Sequence, residues 1–186
     1  SAKSLWRLRD RLFVDLCELF IAEAPDWVIV QGDTTSAMTG AMCAFYGRIK
    51  VAHVEAGLRT YNRWSPFPDE INRMIISNVA DLHFAPTMKS ADNLRRAGVP
   101  EETISVTGNT VVDALLWASE ELHGRMPAGI EPGIADFIQG KRLVLVHSHR
   151  RESVGEGLRN IVYAVLSTVH KTQDPVDVYH RRAHQR

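Results

Sequence analysis

Trp27-Val28-Ile29-Val30 is a short, uninterrupted apolar run, followed at once by Gln31-Gly32-Asp33-Thr34-Thr35-Ser36 and the small-residue segment Ala37-Met38-Thr39-Gly40-Ala41-Met42. An apolar run of that length, bounded by breakers, reads as a strand buried on both faces. The small residues after it read as the start of a helix. Strand, glycine turn and helix make the first half of a βαβ unit, and the same rhythm extends outward from it. Upstream, residues near Leu5 to Ala24 carry Leu5, Leu8, Leu12, Leu16 and Leu19 at helical spacing, and Ala24-Pro25-Asp26 ends that helix. Downstream, strands are expected at 49–54, 82–84, 104–106 and 142–146, with helices at about 69–79, 87–96, 109–122 and 157–170. Thr87 is placed to cap its helix, and Gly98 and Pro100 to stop it.

Strands alternating with helices predict an α/β fold with a Rossmann-like parallel sheet. The segment from Gly124 to Gly140 is rich in glycine and proline and reads as a linker. The expected domains are therefore 1–123, a linker at 124–140, and the start of a second Rossmann-like domain at 141–186. That second part holds about one βαβ unit, too little to bury a sheet on both faces.

The bulk numbers exclude several classes. The chain has 186 residues, 45% of them hydrophobic, and its 22 basic and 22 acidic residues cancel. No broad basic footprint for nucleic acid is present. No apolar run approaches the roughly 18 residues of a membrane span. Ser1 to Arg7 does not resemble a signal peptide, so the cytoplasm is the expected compartment. Cys17 and Cys43 sit in apolar helical stretches and read as small buried hydrophobes, without metal-ligand spacing.

Parallel α/β sheets bind ligands at the carboxyl ends of their strands, and polar clusters stand there. Asp33 follows the first strand, Glu55 the second, and Asp69 and Glu70 lie in the loop beyond it; His149-Arg150-Arg151-Glu152 follows the strand at 142–146. Each has a plain reading. Asp33, Thr34 or Thr35 could cap the next helix. Glu55 and Arg59 could pair across a loop, Asp69 and Glu70 could favour a helix N-terminus, and the basic run could be a solvated face. Taken together, several carboxylates in one cleft push their pKa values apart and supply both an acid and a base. Arg150 and Arg151, before a helix carrying Gly155 and Gly157 near its start, suit a phosphate.

The strings themselves resemble a known family. Gln31-Gly32-Asp33-Thr34-Thr35, His53-Val54-Glu55-Ala56-Gly57-Leu58-Arg59-Thr60, Ser65-Pro66-Phe67-Pro68-Asp69-Glu70-Ile71-Asn72-Arg73, Thr107-Gly108-Asn109-Thr110-Val111-Val112-Asp113-Ala114 and His149-Arg150-Arg151-Glu152 are similar, in order and approximate spacing, to the UDP-N-acetylglucosamine 2-epimerase family. The resemblance covers roughly residues 1 to 178. It implies a two-domain architecture of glycosyltransferase-B type, incomplete here at both ends, with substrate in the cleft. It implies interconversion of UDP-N-acetylglucosamine and UDP-N-acetylmannosamine by elimination and re-addition of UDP, with no redox cofactor or metal, in the service of bacterial surface polysaccharides. Carried over by position, Asp33, Glu55, Asp69 and His149 are the expected catalytic residues, and Glu70, Arg73, Arg150, Arg151 and Glu152 the expected substrate-binding ones. The resemblance further implies a homodimer.

The chain departs from that family's pattern in four ways. Asp69 stands where a glutamate is usual, leaving its carboxylate one methylene short, with Glu70 as a candidate substitute. Ser148 stands where glycine is usual. The tail from Tyr179 does not carry the expected Pro-x-His-x-Asn string, and the family's chain is about twice as long. The competing expectations are the hydrolysing branch, which releases free N-acetylmannosamine and UDP, a non-catalytic truncated fragment, and a glycosyltransferase of the same fold.

Overall fold

A computed structural model describes residues 2–125, 133 and 155–172 of the chain. Helix α1 (Ala2–Glu23) leads into strand β1 (Trp27–Gln31), followed by α2 (Thr35–Tyr46), β2 (Lys50–Val54), α3 (Asp69–Val79), β3 (Leu82–Ala85), α4 (Met88–Arg96), a 3-10 turn (Glu101–Thr103), β4 (Ile104–Val106) and α5 (Thr110–Leu122). Helix α6 (Glu156–Thr172) belongs to a second compact unit, 122–186, and is described by itself. The expected strand at 142–146 and nearly all of the expected linker lie outside the described residues.

The four strands form one parallel sheet in the order β1-β2-β3-β4. Trp27 pairs with Lys50 and Gln31 with Val54; His53 of β2 pairs with His83 of β3, and Ala85 of β3 with Val106 of β4. The parallel α/β arrangement expected from the sequence is therefore the one found. Each strand is added on the same side of the last. Right-handed crossovers then put α2, α3 and α4 on one face of the sheet.

Among the described residues β1 is covered on one face, where the sequence pattern reads as buried on both. Val30 points to the helical face and is 7% exposed, whereas its neighbour Ile29 points the other way and is 70% exposed. The helical face carries the core: Val30, Ala37, Ala41, Ala44, Val51 and Ile76 form one cluster, and Ala56, Ala85, Ala91 and Leu94 another.

Helix α2 packs against α1, α3, β1 and β2 at once, which its small residues permit. Cys43 is buried on it as expected, and its thiol donates to the Phe13 carbonyl at 3.4 Å. Burial, with Cys17 nearby, pushes that thiol up to about 12. Cys17 is only half-buried. Among the described residues no helix is long and apolar enough to cross a membrane.

Candidate functional site

The carboxyl end of β1 turns at Gly32, whose φ of +73° is open to glycine at little cost. Of the three residues able to cap α2, Thr34 does so: its side-chain oxygen accepts from the Ala37 N–H at 3.2 Å. Asp33 is thereby released from capping, and its carboxylate turns to Arg73 on α3. Arg73 Nε donates to Asp33 Oδ2 at 2.8 Å and its Nη2 approaches the same oxygen at 2.5 Å. Asn72 adds a bond to the Asp33 carbonyl at 2.9 Å. Beneath the turn, the ring of His53 donates from Nε2 to the Gly32 carbonyl at 2.8 Å. Its Nδ1 is buried with no partner among the described residues. Burial lowers His53 to about 4; the Gly32 bond opposes this, while His83 and Arg59 add to it. The imidazole is thus a neutral strut.

Glu55 follows β2 directly, with φ at +66°, a left-handed conformation uncommon outside glycine. A Cβ added to Gly32 would lie 3.5 Å from Glu55 Oε2, so this carboxylate sits over the Gly32–Asp33 turn. Asn109 Nδ2 donates to Glu55 Oε1 at 3.4 Å, while its Oδ1 accepts from Val111 N–H at the start of α5. The ends of β1, β2 and β4 meet here. The pairing of Glu55 with Arg59 does not occur. Arg59 turns away, donating to the Leu58 carbonyl and to Ser77 Oγ, each at 2.8 Å. The reason is Gly57: at φ +84° its α-carbon lies so close to α4 that an added Cβ would stand 2.2 Å from the Ser90 carbonyl. The chain there is pressed down onto α4 and sends Arg59 inward.

Asp69 and Glu70 open α3 after a loop with cis bonds at Ser65-Pro66 and Phe67-Pro68. Glu70 is 1% exposed. Its carboxylate accepts from the Thr60 and Tyr61 amides at 3.0 and 2.9 Å and from Arg73 Nη1 at 3.1 Å. Burial alone would raise its pKa; these donors outweigh burial and hold it below the usual carboxylate range. With every acceptor occupied inside the fold, Glu70 is not free to stand in for a shortened Asp69. Asp69 is half-buried and engages neighbours of its own.

The structure therefore gathers Asp33, Glu55, Glu70 and Arg73 around three strand ends. His149, Arg150, Arg151, Glu152 and Ser148 lie outside the described residues. Two contributors were not singled out from sequence. Asn109 stands in a recognised string, but its reach to Glu55 spans 54 residues. His53 heads another of those strings, but its bond to the Gly32 carbonyl, 21 residues away, shows only in the fold.

Comparison with known proteins agrees in extent and order. The family model described as UDP-N-acetylglucosamine 2-epimerase matches residues 3–186. The Bacillus subtilis UDP-N-acetylglucosamine 2-epimerase is 40% identical over 177 residues, covering 95% of this chain and 45% of its own length. The Salmonella typhimurium enzyme of the same name is 43% identical over 157 residues, covering 83% and 42%. Among solved structures, UDP-GlcNAc 2-epimerase from Neisseria meningitidis bound to UDP-GlcNAc superposes with a TM-score of 0.83 at 39% identity, over 91% of this chain and 46% of that one. The Methanocaldococcus jannaschii enzyme in complex with UDP-GlcNAc and UDP gives 0.70 at 32% identity, over 89% and 45%. This chain thus spans less than half the length of the relatives it matches.

Proposed function

Because this chain belongs to the UDP-N-acetylglucosamine 2-epimerase family, we propose that the protein carrying it interconverts UDP-N-acetylglucosamine and UDP-N-acetylmannosamine. The observation that carries this reading is the meeting of two carboxylates, Asp33 and Glu55, over one turn at the strand ends.

In the proposed reaction the C1–O bond breaks and its electron pair leaves with the diphosphate. The C2–H bond then supplies the electrons of a C1–C2 double bond, and its proton passes to a carboxylate. Re-addition of UDP at C1, with a proton delivered to the opposite face of C2, completes the inversion. The C2 proton becomes acidic only as C1 gains cationic character, so leaving-group assistance and general base catalysis must act together. Asp33, Glu55 and Asp69 supply the proton-transfer and charge-stabilising groups on the first unit. His149, with Arg150 or Arg151, receives the diphosphate, and Glu152 contributes to substrate binding elsewhere. Glu70 and Arg73, first expected to touch substrate, are assigned to positioning, because both are buried and spent on bonds within the fold.

We further propose that the division into a domain at 1–123, a linker at 124–140 and a UDP-binding domain from 141 holds for the whole protein. The two free thiols suit a reducing compartment, the cytoplasm. A homodimer is proposed on the family resemblance; sedimentation of the full-length protein checks it.

The main test is proton NMR of UDP-N-acetylglucosamine in deuterated water, with the chain extended to the length of its relatives. Incorporation of deuterium at C2, together with appearance of UDP-N-acetylmannosamine, is the expected result. Free N-acetylmannosamine as the sole product would instead mark a hydrolysing enzyme, and no exchange at all would remove the assignment.

A further inference from the structure

The loop 59–63, α3 and α4 enclose a groove of about 810 Å³ that Asp33 and Glu55 do not line. Three guanidinium groups line it: Arg59, half-buried, and Arg63 and Arg96, both exposed. None of the three makes an ion pair among the described residues. Arg59 is tied to neutral acceptors, the Leu58 carbonyl and Ser77 Oγ. Arg63 lies over the Trp64 ring at 5.3 Å. The neighbouring Arg95 shows what an ordinary surface arginine does here: it pairs with both Asp92 and Glu101 and does not line the groove.

The only carboxylate on the wall, Glu70, is already occupied by Thr60, Tyr61 and Arg73. The groove therefore holds a surplus of positive charge with nothing inside the described fold to answer it. Arg59 itself is partly buried. Burial pulls its pKa below the usual value; Glu70 opposes this, and the like charge of Arg73 reinforces it. An anion in the groove would meet three guanidinium groups that have no carboxylate partner among the described residues. Guanidinium forks match phosphate oxygens with two parallel bonds. The volume exceeds what a bare phosphate fills, and Ile71, Met74 and Val99 give it an apolar wall, so the occupant has an organic body as well.

We propose that this groove is a binding site for a phosphorylated small molecule, separate from the strand-end carboxylates. It touches the catalytic side only through shared scaffolding: Tyr61 lines the groove and is held by Glu70, which Arg73 joins to Asp33.

The test is calorimetric titration of the full-length protein with inorganic pyrophosphate at physiological salt, the uptake belonging to the groove being the part that the groove substitutions remove. The parent protein is expected to take up one pyrophosphate per chain in the groove, in a saturable manner. The charge-reversed variant Arg63→Glu with Arg96→Glu should bind it at least tenfold more weakly, with melting temperature and UDP affinity unchanged. Should that variant melt early, Arg96→Gln serves in its place and should weaken binding about threefold. Absence of saturable uptake by the parent, or equal uptake by a folded variant, overturns the proposal.

Discussion

Asp33, at the end of β1, is gripped by a buried guanidinium that comes from 40 residues further along the chain. Glu55, one strand over, is held by its own left-handed backbone and by a single 3.4 Å bond from Asn109. The two carboxylates share a turn but not a manner of support. Asp33 is part of a network that continues through Arg73 to Glu70 and on to the Thr60 and Tyr61 amides, so moving it disturbs the fold. Glu55 can change its side-chain rotamer with the loss of one weak contact. Under the proposed reaction, this difference in support makes Glu55 the group we propose for proton exchange, with Asp33 held in place beside it.

Cutting the network at its centre should have the largest effect. Arg73→Ala leaves Asp33 and a nearly inaccessible Glu70 without their cation, and loss of one partner from a buried pair costs about 3–5 kcal/mol. A urea denaturation midpoint measures it. A cost under about 1 kcal/mol would mean that Asp33 is no better held than Glu55.

Acid should act next. His53 supports the Asp33 side through the Gly32 carbonyl, and its folded value of about 4 lies below its ordinary 6.5. Between those values the unfolded chain binds a proton that the folded chain refuses, so stability falls as pH is lowered from 6.5 toward 4. At about 1.4 kcal/mol per unit the loss is about 3 kcal/mol. The depressed Glu70 adds a further loss at lower pH, as the medium passes through its folded value. His53→Gln should flatten the slope between pH 6.5 and 4 when stability is followed by denaturation. An unchanged slope would remove His53 from the account.

The smallest effect on stability, under about 0.5 kcal/mol, is expected from Glu55→Gln. The same change should slow C2 hydrogen exchange by about 10²-fold or more, the usual worth of a positioned general base. Stability lost without loss of exchange would reverse the roles assigned to the two strand ends.

Much of this was legible beforehand, and the boundary follows physical range. Strand β1 and the Thr87 cap rest on local signals, an apolar run and a hydroxyl before a helix, and both appear where expected. The choice among Asp33, Thr34 and Thr35 as cap could not be made locally, because the competitor for Asp33 is an arginine on another helix. Asp69 and Glu70 are adjacent and chemically alike in sequence. One helical step, about 100°, turns Glu70 into the loop amides and leaves Asp69 half-exposed. Glu55 hides its strain for the opposite reason: a left-handed position ordinarily advertises itself as glycine, and here it carries a carboxylate. Which face of β1 the helices α2 and α3 cover depends on strand order, which periodicity does not report.

The connection from Glu55 to Asp69 contains no helix or strand, yet it is fastened at nearly every turn. Gly57 abuts Ser90, Arg59 reaches Ser77, Glu70 holds Thr60 and Tyr61, and the Tyr61 hydroxyl donates to Asn93. Such a segment behaves as a surveyor's baseline, with its two ends, Glu55 and the start of α3, at a set separation. An inversion at carbon needs chemistry on opposite faces of one atom. In the inversion proposed above, such a baseline would let side chains at its ends swing while their stations stay put, and the larger displacement would fall to the sugar, presenting first one face and then the other.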